Sequence, residues 1–211
     1  QRLPCLVRDF VFSDINEEQL DKINAALNTE HSEVWWYYPS ANSSEVNRYV
    51  VYNYLEQVWY YGSFGRTAWI DRGIFDFPFA ANADGYIYEH EIGFDDGTTN
   101  PTTAINAYIQ SSPIDIGDGE QFSFVRRMIP DVDFSSSDTG ATKEATFTLK
   151  RRNSPNETFT TADTFTVTNT SGQTHTRVRA RSLGLKVQSS NTGVNWRLGS
   201  PRIDIRSDGR R

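Results

Sequence analysis

A histidine and four carboxylates in the middle of the chain form the first group of side chains that could bind a metal ion. His90 lies between Glu89 and Glu91, and Asp95 and Asp96 follow. The segment lacks a second nearby histidine and the H-E-x-x-H spacing of a zinc site. On a strand, Glu89 and Glu91 point to one side and His90 to the other, so they cannot chelate one ion. We therefore interpret His90 as a cross-strand or interface histidine.

A second group of carboxylates has a loose likeness to a calcium loop. Asp115, Asp118 and Glu120 occur in the segment DIGDGEQ. An EF-hand loop needs oxygen ligands at alternate positions and a closing glutamate at its twelfth position, which is absent here. A turn between strands, in which Gly117 and Gly119 adopt positive φ, accounts for the segment equally well. We favour the turn over the calcium site.

Paired carboxylates for glycoside hydrolysis could be drawn from Asp131, Asp133, Glu89 or Glu91. With so many acids some pair is always present, so this pattern has no specificity. The sequence contains no G-x-x-x-x-G-K loop and no G-x-S-x-G motif, and its histidines are scattered. We expect no enzyme, no catalytic residue, no cofactor and no metal.

Alternating arginines form a more specific pattern near the end of the chain. Arg177, Arg179 and Arg181 would place three guanidiniums on one face of a strand, and Arg202 and Arg206 repeat this arrangement around a central acid. One hypothesis is a phosphate-tracking stripe for nucleic acid. The other is a ladder of arginine–carboxylate pairs within a sheet or across a subunit contact. We favour the ladder or interface, because no aromatics alternate with these arginines as in single-strand binders.

Aromatic residues are concentrated in residues 33–73, which contain Trp35, Trp36, Trp59 and Trp69. Four apolar-aromatic runs, about ten residues apart, are separated by polar breaks: EVWWYYPS, NRYVVYNY, QVWYYGSFG and RTAWIDRG. This rhythm is typical of a four-stranded antiparallel meander, the size of one β-propeller blade. Most rings fall inside the strands, so we predict core and subunit interface in preference to sugar-stacking platforms.

One segment, SDINEEQLDKINAALN, predicts a short amphipathic helix over residues 17–27. Asn16 can cap its N-terminus, and Leu20, Ile23 and Leu27 would share one face. Later segments predict about seven more strands at an even, turn-punctuated spacing that is typical of a β-sandwich or jelly roll. No run reaches the length of a membrane-spanning helix, and we expect no membrane insertion.

Charge divides the chain into two parts. Residues 1–100 have a balance of -10 and residues 101–211 a balance of +4, with a turn-rich loop at Asp95–Thr103. The predicted fold class is all-β. A propeller-blade-like antiparallel meander with one short helix occupies 1–100, and a β-sandwich or jelly-roll-like domain occupies 101–211. Because the chain begins with Gln1 instead of Met, we expect it to be a processed or excised piece of something longer.

Several rare strings in this order resemble a known family. They are EVWWYYPS, RYVVYNY, W-Y-x-G-S-F-G-R-T-A-W-I-D-R-G, Y-x-Y-E-H-E-x-G and the closing W-R-L-G-S-P-R-I-D-I-R-S-D-G-R-R. The distinctive spans are Trp35–Gly73, Tyr86–Gly93 and Trp196–Arg211. The chain resembles the C-terminal region of the tail-nozzle proteins of short-tailed bacteriophages, also called packaged-DNA stabilisation proteins.

The resemblance implies a β-propeller subunit in a hexameric ring below the portal, which continues the DNA channel and holds packaged DNA in the virion. Its implied partners are other copies of the chain, portal or adaptor and tail-fibre proteins, and double-stranded DNA passing through the lumen. The implied location is the virion tail, assembled in the host cytoplasm. The candidate assembly interface comprises Trp35, Trp36, Trp59, Trp69, Arg177, Arg179, Arg181, Arg202 and Arg206.

Two alternatives come from other functional classes. Exposed tryptophans could make the chain a carbohydrate-binding module of a receptor-binding or secreted protein. A glycoside hydrolase of propeller or sandwich type is a weaker alternative, because no carboxylate pair stands out. For the tail protein we also expect the acidic first half to face the lumen, where it would repel DNA and let it slide.

Overall fold

The computed structural model describes residues 3–97, 101–117 and 119–210. Strands make up 45% of the chain and helices 6%. Every described strand pairing is antiparallel, so the all-β prediction is confirmed at the level of fold class. Within the described residues the strands form neither a closed barrel nor a propeller. The chain divides into two compact units, Gln1–Ile92 (unit 1) and Gly93–Arg211 (unit 2).

Unit 1 begins with two short helices and continues as two sheets. The helices are α1 (Arg8–Asp14) and a 3₁₀ helix (Glu17–Lys22). The strands are β1 (Asn24–Asn28), β2 (Glu33–Tyr38), β3 (Arg48–Asn53), β4 (Val58–Gly62), β5 (Ala68–Ile70), β6 (Phe79–Ala81) and β7 (Ile87–Glu89). The first four strands form one sheet in the order β1-β2-β3-β4, and the last three form another in the order β5-β6-β7.

The helix predicted over residues 17–27 is wrong in its second half. Asn16 does cap a helix, since its side chain accepts a hydrogen bond from the Glu18 amide at 3.0 Å. The helix ends at Lys22, however, and the chain becomes β1, which pairs with β2 so that Ala26 lies opposite Trp35. Pairing satisfies the backbone of β1 and buries Ala26 among aromatic rings, and this outweighs the local helical pattern.

The predicted meander contains four strands, but its membership differs. The first three aromatic runs form β2, β3 and β4 as predicted, whereas the RTAWIDRG run forms β5 in the second sheet. After β4 the chain crosses the face of the first sheet, where Phe64 contacts Tyr49 with ring centroids 4.6 Å apart. Gly65 permits this path, because a Cβ there would lie 1.7 Å from the carbonyl oxygen of Val46.

The described residues of unit 2 form ten strands instead of the seven predicted, because several of the predicted runs each contain two strands. They are β8 (Ala107–Gln110), β9 (Ile114–Asp115), β10 (Ser123–Ile129), β11 (Val132–Asp133), β12 (Glu144–Arg152), β13 (Thr160–Thr168), β14 (Thr174–Ala180), β15 (Ser182–Ser189), β16 (Arg197–Leu198) and β17 (Arg202–Ser207).

Two sheets of unit 2 share one apolar interior. The strands β14, β10 and β17 form a three-stranded sheet, and β13, β12, β15, β8 and β9 form a five-stranded sheet. One buried cluster joins Met128 of β10 to Phe147 of β12, and a second joins Val125 of β10 to Leu149 of β12. Residues from both sheets therefore meet in the same core, as in face-to-face sheet packing.

The shared core gives a first prediction. Phe147 is 0% exposed, whereas its neighbour Thr146 points outward on the same strand. We expect Phe147→Ala to destabilise unit 2 by about 3–5 kcal/mol, because it removes buried apolar area and leaves a cavity. Hydrogen exchange with mass spectrometry, followed on peptides of β12 and β15, measures this loss separately from unit 1.

Thr146→Ala is the matched control, with an expected change of about 0.5 kcal/mol or less. Equal protection of the β12 peptides in both variants would contradict a core shared by the two sheets.

Candidate functional site

The tryptophans of β2 and β4 lie on the two opposite faces of the first sheet. Trp35 is 8% exposed and lies at the centre of an aromatic cluster. Its ring centroid is 4.8 Å from that of Tyr49, 5.9 Å from Phe64 and 6.1 Å from Trp69. Trp35 therefore stabilises the core of unit 1, and little of its surface remains for a partner.

A buried carboxylate organises this cluster. Glu33 accepts hydrogen bonds from the Trp35 indole nitrogen at 2.9 Å and from the Tyr60 hydroxyl. Burial, together with the hydrogen bond to Glu33, raises the pKa of Tyr60 far above its usual value. Tyr60 therefore remains a proton donor to Glu33 throughout the neutral range, and the carboxylate keeps both partners.

Trp36 and Trp59 lie on the other face, where both are half-buried. Their ring centroids are 5.8 Å apart, and Trp59 also lies 4.6 Å from Tyr52. The Trp59 indole nitrogen donates to the carbonyl oxygen of Pro4 at 2.8 Å. The segment around Pro4 therefore contacts this face and accepts the hydrogen bond of the Trp59 indole.

His90 packs against Trp69 beside the second sheet of unit 1. The His90 ring centroid lies 4.8 Å from that of Trp69, and its Nε2 accepts a hydrogen bond from Arg66 at 2.8 Å. The Arg66 guanidinium in turn lies 4.5 Å from the centroid of the Tyr88 ring. His90 is thus a hydrogen-bond acceptor that links the segment before β5 to the segment after β7.

A groove beside β1 is the feature of unit 1 that could suit a sugar. It is lined in part by Leu27, Trp69 and Asp71. The Trp69 indole nitrogen already donates to the Leu27 carbonyl oxygen at 2.8 Å. The Asp71 carboxylate accepts from the Thr29 hydroxyl at 2.6 Å and from the Arg72 amide at 2.9 Å. These polar groups are engaged within the chain, so the groove gives the carbohydrate alternative little support.

One face of the second sheet is apolar and exposed except for a single carboxylate. Cross-strand partners place Ile70 beside Phe79 and Ala81 beside Ile87, all on the face opposite Trp69. Glu89 lies opposite Phe79 on the same face, at the end of β7. Ile70 is 60% exposed and Ile87 is 74% exposed. We call the surface formed by Ile70, Phe79, Ala81 and Ile87 the apolar face.

Unit 2 carries a second distinctive surface on the sheet of β14, β10 and β17. Its inner side supplies Val125, Met128 and Val178 to the core. Its outer side carries arginines on all three strands. We call these the arginine face: Arg126, Arg127, Arg177, Arg179, Arg202 and Arg206.

A β-bulge in the central strand increases the charge of this face. The register of β10 shifts between Val125 and Arg127 on both sides. Val125 and Met128 are both fully buried, so the two residues between them, Arg126 and Arg127, lie together on the outer side. An unbulged strand would turn one of the two arginines toward the core.

The arginine face has fewer carboxylates than a ladder of ion pairs requires. Arg126 and Arg127 share Asp204, at 3.3 Å and 3.8 Å, and Arg179 pairs with Asp208. Across the described ranges, no carboxylate oxygen lies within 4.0 Å of the guanidiniums of Arg177, Arg202 or Arg206. The predicted ladder is therefore partial. Arg181, just after β14, donates to the Arg210 carbonyl oxygen instead.

An aromatic ring supports one end of this face. The Arg179 guanidinium lies 3.8 Å and that of Arg181 4.8 Å from the centroid of the Phe122 ring. Contacts of this kind hold arginine side chains in extended conformations over a π surface. The sequence did not single out Phe122, because this residue precedes the arginine-containing strand β10. In the structure its amide donates to the Gly209 carbonyl oxygen, and this contact places Phe122 beside the arginines.

The described carboxylates of the calcium-like segment are engaged within the chain. Asp115 accepts a hydrogen bond from the Ser182 hydroxyl, Glu120 lies 3.6 Å from Arg210, and Asp118 lies outside the described residues. Gly117 and Gly119 both have positive φ, which confirms the predicted turn geometry.

The two carboxylates proposed for hydrolysis in unit 2 are likewise engaged. Asp131 accepts from the Ser200 amide at 2.7 Å. Hydrogen bonds from the hydroxyl and amide of Ser135 lower the pKa of Asp133. In unit 1, Glu91 accepts from Asn28 at 3.0 Å and faces His31 at 3.2 Å. These three carboxylates therefore make structural contacts within the chain, whereas Glu89, the fourth candidate, is exposed at the end of β7.

His90 gives a prediction on pH dependence. Burial, reinforced by the positive charge of Arg66, lowers the pKa of His90 to about 4. The unfolded chain has an ordinary histidine pKa near 6.5, so it binds a proton between pH 6.5 and 4 that the folded chain does not. The free energy of unfolding should therefore fall as the pH falls through this window. Solvent screens a half-buried ring, so we expect a loss of roughly 1–2 kcal/mol.

The matched variant is His90→Gln, which keeps an acceptor for Arg66 and cannot titrate in this range. Urea unfolding at pH 7 and pH 4.5, followed by tryptophan fluorescence, measures the difference; four of the five tryptophans lie in unit 1. Wild type should lose more stability than the variant. An identical pH dependence in the two proteins would contradict the role given to His90.

Within the described ranges, no three histidine, cysteine or acidic side chains converge as ligands for a metal ion. No helix in the described part of the chain is both long and apolar enough to cross a membrane. No protein-family model matches this chain, and no curated protein matches it in sequence.

Proposed function

We propose that this chain is a structural protein of a bacteriophage tail, part of a nozzle or adaptor ring that continues the DNA channel and helps to retain packaged DNA. The proposal starts from the resemblance of Trp35–Gly73, Tyr86–Gly93 and Trp196–Arg211 to tail-nozzle proteins. In this proposal the sheet of β1 to β4 corresponds to one propeller blade, and unit 2 corresponds to a sandwich or jelly-roll domain.

The apolar face is the single observation that carries the proposal. Ile70 and Ile87 are mostly exposed, and Phe79 lies between them on the middle strand. Contiguous exposed apolar surface on a folded protein marks a site of association. Subunits that exist only in assemblies have interfaces of this apolar kind. The occupant that we propose is a second copy of the chain.

A closed ring would let every subunit use this contact without unlimited growth of the assembly. A head-to-tail contact between identical subunits either closes into a ring or continues as a filament. The strands of the second sheet are three residues long, and short edges limit uncontrolled strand addition. The resemblance implies six copies in the ring.

Replacing a residue of the apolar face tests this function. Ile87→Glu would place a charge in the proposed subunit contact, so we expect the variant to remain monomeric under conditions where wild type forms a closed ring. Native mass spectrometry and negative-stain electron microscopy of the full chain, at several concentrations, measure copy number and symmetry.

Leu55→Glu is the matched control, because Leu55 is 72% exposed in the turn between β3 and β4, away from the apolar face. It should assemble like wild type. A wild-type chain that stays monomeric at all concentrations and binds glycans on an array would refute the tail function in favour of the carbohydrate-binding alternative.

A further inference from the structure

We infer that the arginine face binds the phosphate backbone of double-stranded nucleic acid without reading its sequence. The inference rests on the proposed function, because that function specifies that the nucleic acid is double-stranded. It assigns the DNA contact to the outer side of the sheet of β14, β10 and β17. The acidic first half of the chain, by its charge, is a poor surface for the same ligand.

Charge excess is the first step of the argument. On the three strands, six outward arginines face one outward carboxylate, that of Asp204. Asp208 neutralises Arg179 just beyond β17. The guanidiniums of Arg177, Arg202 and Arg206 are exposed and lie beyond ion-pair distance of every carboxylate in the described residues. This surface therefore retains several positive charges that are available to an external anion.

Geometry is the second step. Neighbouring strands are about 4.8 Å apart, and alternate residues along a strand are about 6.7 Å apart. The arginines Arg202 and Arg206 of β17 are thus about 13 Å apart, a length over which duplex DNA presents about eight phosphate charges. Each guanidinium can bind a phosphate in bidentate fashion. The arginines are therefore spaced closely enough to contact successive phosphates. The duplex presents more phosphates over this length than there are arginines to bind them.

The composition of the face favours nucleic acid over an acidic protein. Centres of protein–protein interfaces are apolar and depleted of charged residues. Protein–DNA interfaces are much more positively charged. The basic residues on the three strands are all arginines, and the nearby ring of Phe122 lies beneath two guanidiniums. The outward apolar residues of the central strand, Phe124 and Ile129, are half-buried beside arginines of the neighbouring strands. The exposed part of this surface is therefore mainly guanidinium.

The test removes the arginines that have no carboxylate partner. Arg177→Gln, Arg202→Gln and Arg206→Gln are combined in one variant of the full chain. Binding to a fluorescein-labelled 30-base-pair duplex of random sequence is measured by anisotropy between 50 and 200 mM NaCl. We expect the slope of log K against log salt to fall by about 2 to 3 in magnitude, since each phosphate contact contributes about 0.9.

The control variant removes the same charge from elsewhere on the surface. Arg8→Gln, Arg151→Gln and Arg197→Gln change exposed arginines outside the arginine face. Their combination should leave the slope within about 0.5 of the wild-type value. Equal losses in both triple variants, or no wild-type binding at 50 mM NaCl, would overturn the inference.

Two further measurements identify the ligand and separate the two proposals. Lysine at the same three positions should retain most of the slope, because it retains the charge. A loss as large as that of the glutamine variant would contradict phosphate binding by charge. Polyglutamate that competes as well as DNA of equal charge would also overturn it, in favour of an acidic protein. Copy number is measured separately: a monomer that binds DNA through these arginines would leave this inference standing and refute the ring.

Discussion

Strand β10 is the element on which the rest of unit 2 depends. It lies between β14 and β17. Its fully buried residues Met128 and Val125 each belong to one of the two apolar clusters of unit 2. The bulge between them turns two arginines outward without displacing either core residue. One strand therefore holds the two sheets together on its inner side and carries charge on its outer side. Polar substitution of either core residue would disturb both properties.

Unit 1 is organised by a buried polar group inside an aromatic core. Glu33 is 8% exposed, and its two hydrogen-bond donors, Trp35 of β2 and Tyr60 of β4, lie on the two sides of β3. A carboxylate without these partners would be costly to bury, so the donors and the acid specify one packing of the rings. The same aromatic cluster then supports Trp69 and through it the second sheet, whose opposite side is the apolar face.

Strand positions in this chain could be predicted because alternation is a local property. β2, β3 and β4 follow the aromatic runs, and Arg177 and Arg179 share a face as their spacing predicted. The helix over 17–27 was wrong because the capping and apolar signals around Asn16 are local, whereas the pairing of β1 with β2 is not. The bulge in β10 leaves no sequence signal beyond two adjacent arginines. The assembly of three strands into the arginine face was equally out of reach.

The position of Asp204 explains how a charged face can be both ordered and unsaturated. One carboxylate between two guanidiniums fixes their orientation, at 3.3 Å and 3.8 Å, but neutralises only one charge. Arg202 and Arg206 flank the same acid on β17 at two residues' distance, too far along the strand to share it. With a carboxylate on every strand, the arginines would form ion pairs within the sheet and would not attract an external anion. A single central acid instead keeps like charges in place on a rigid sheet, and an external polyanion relieves their mutual repulsion.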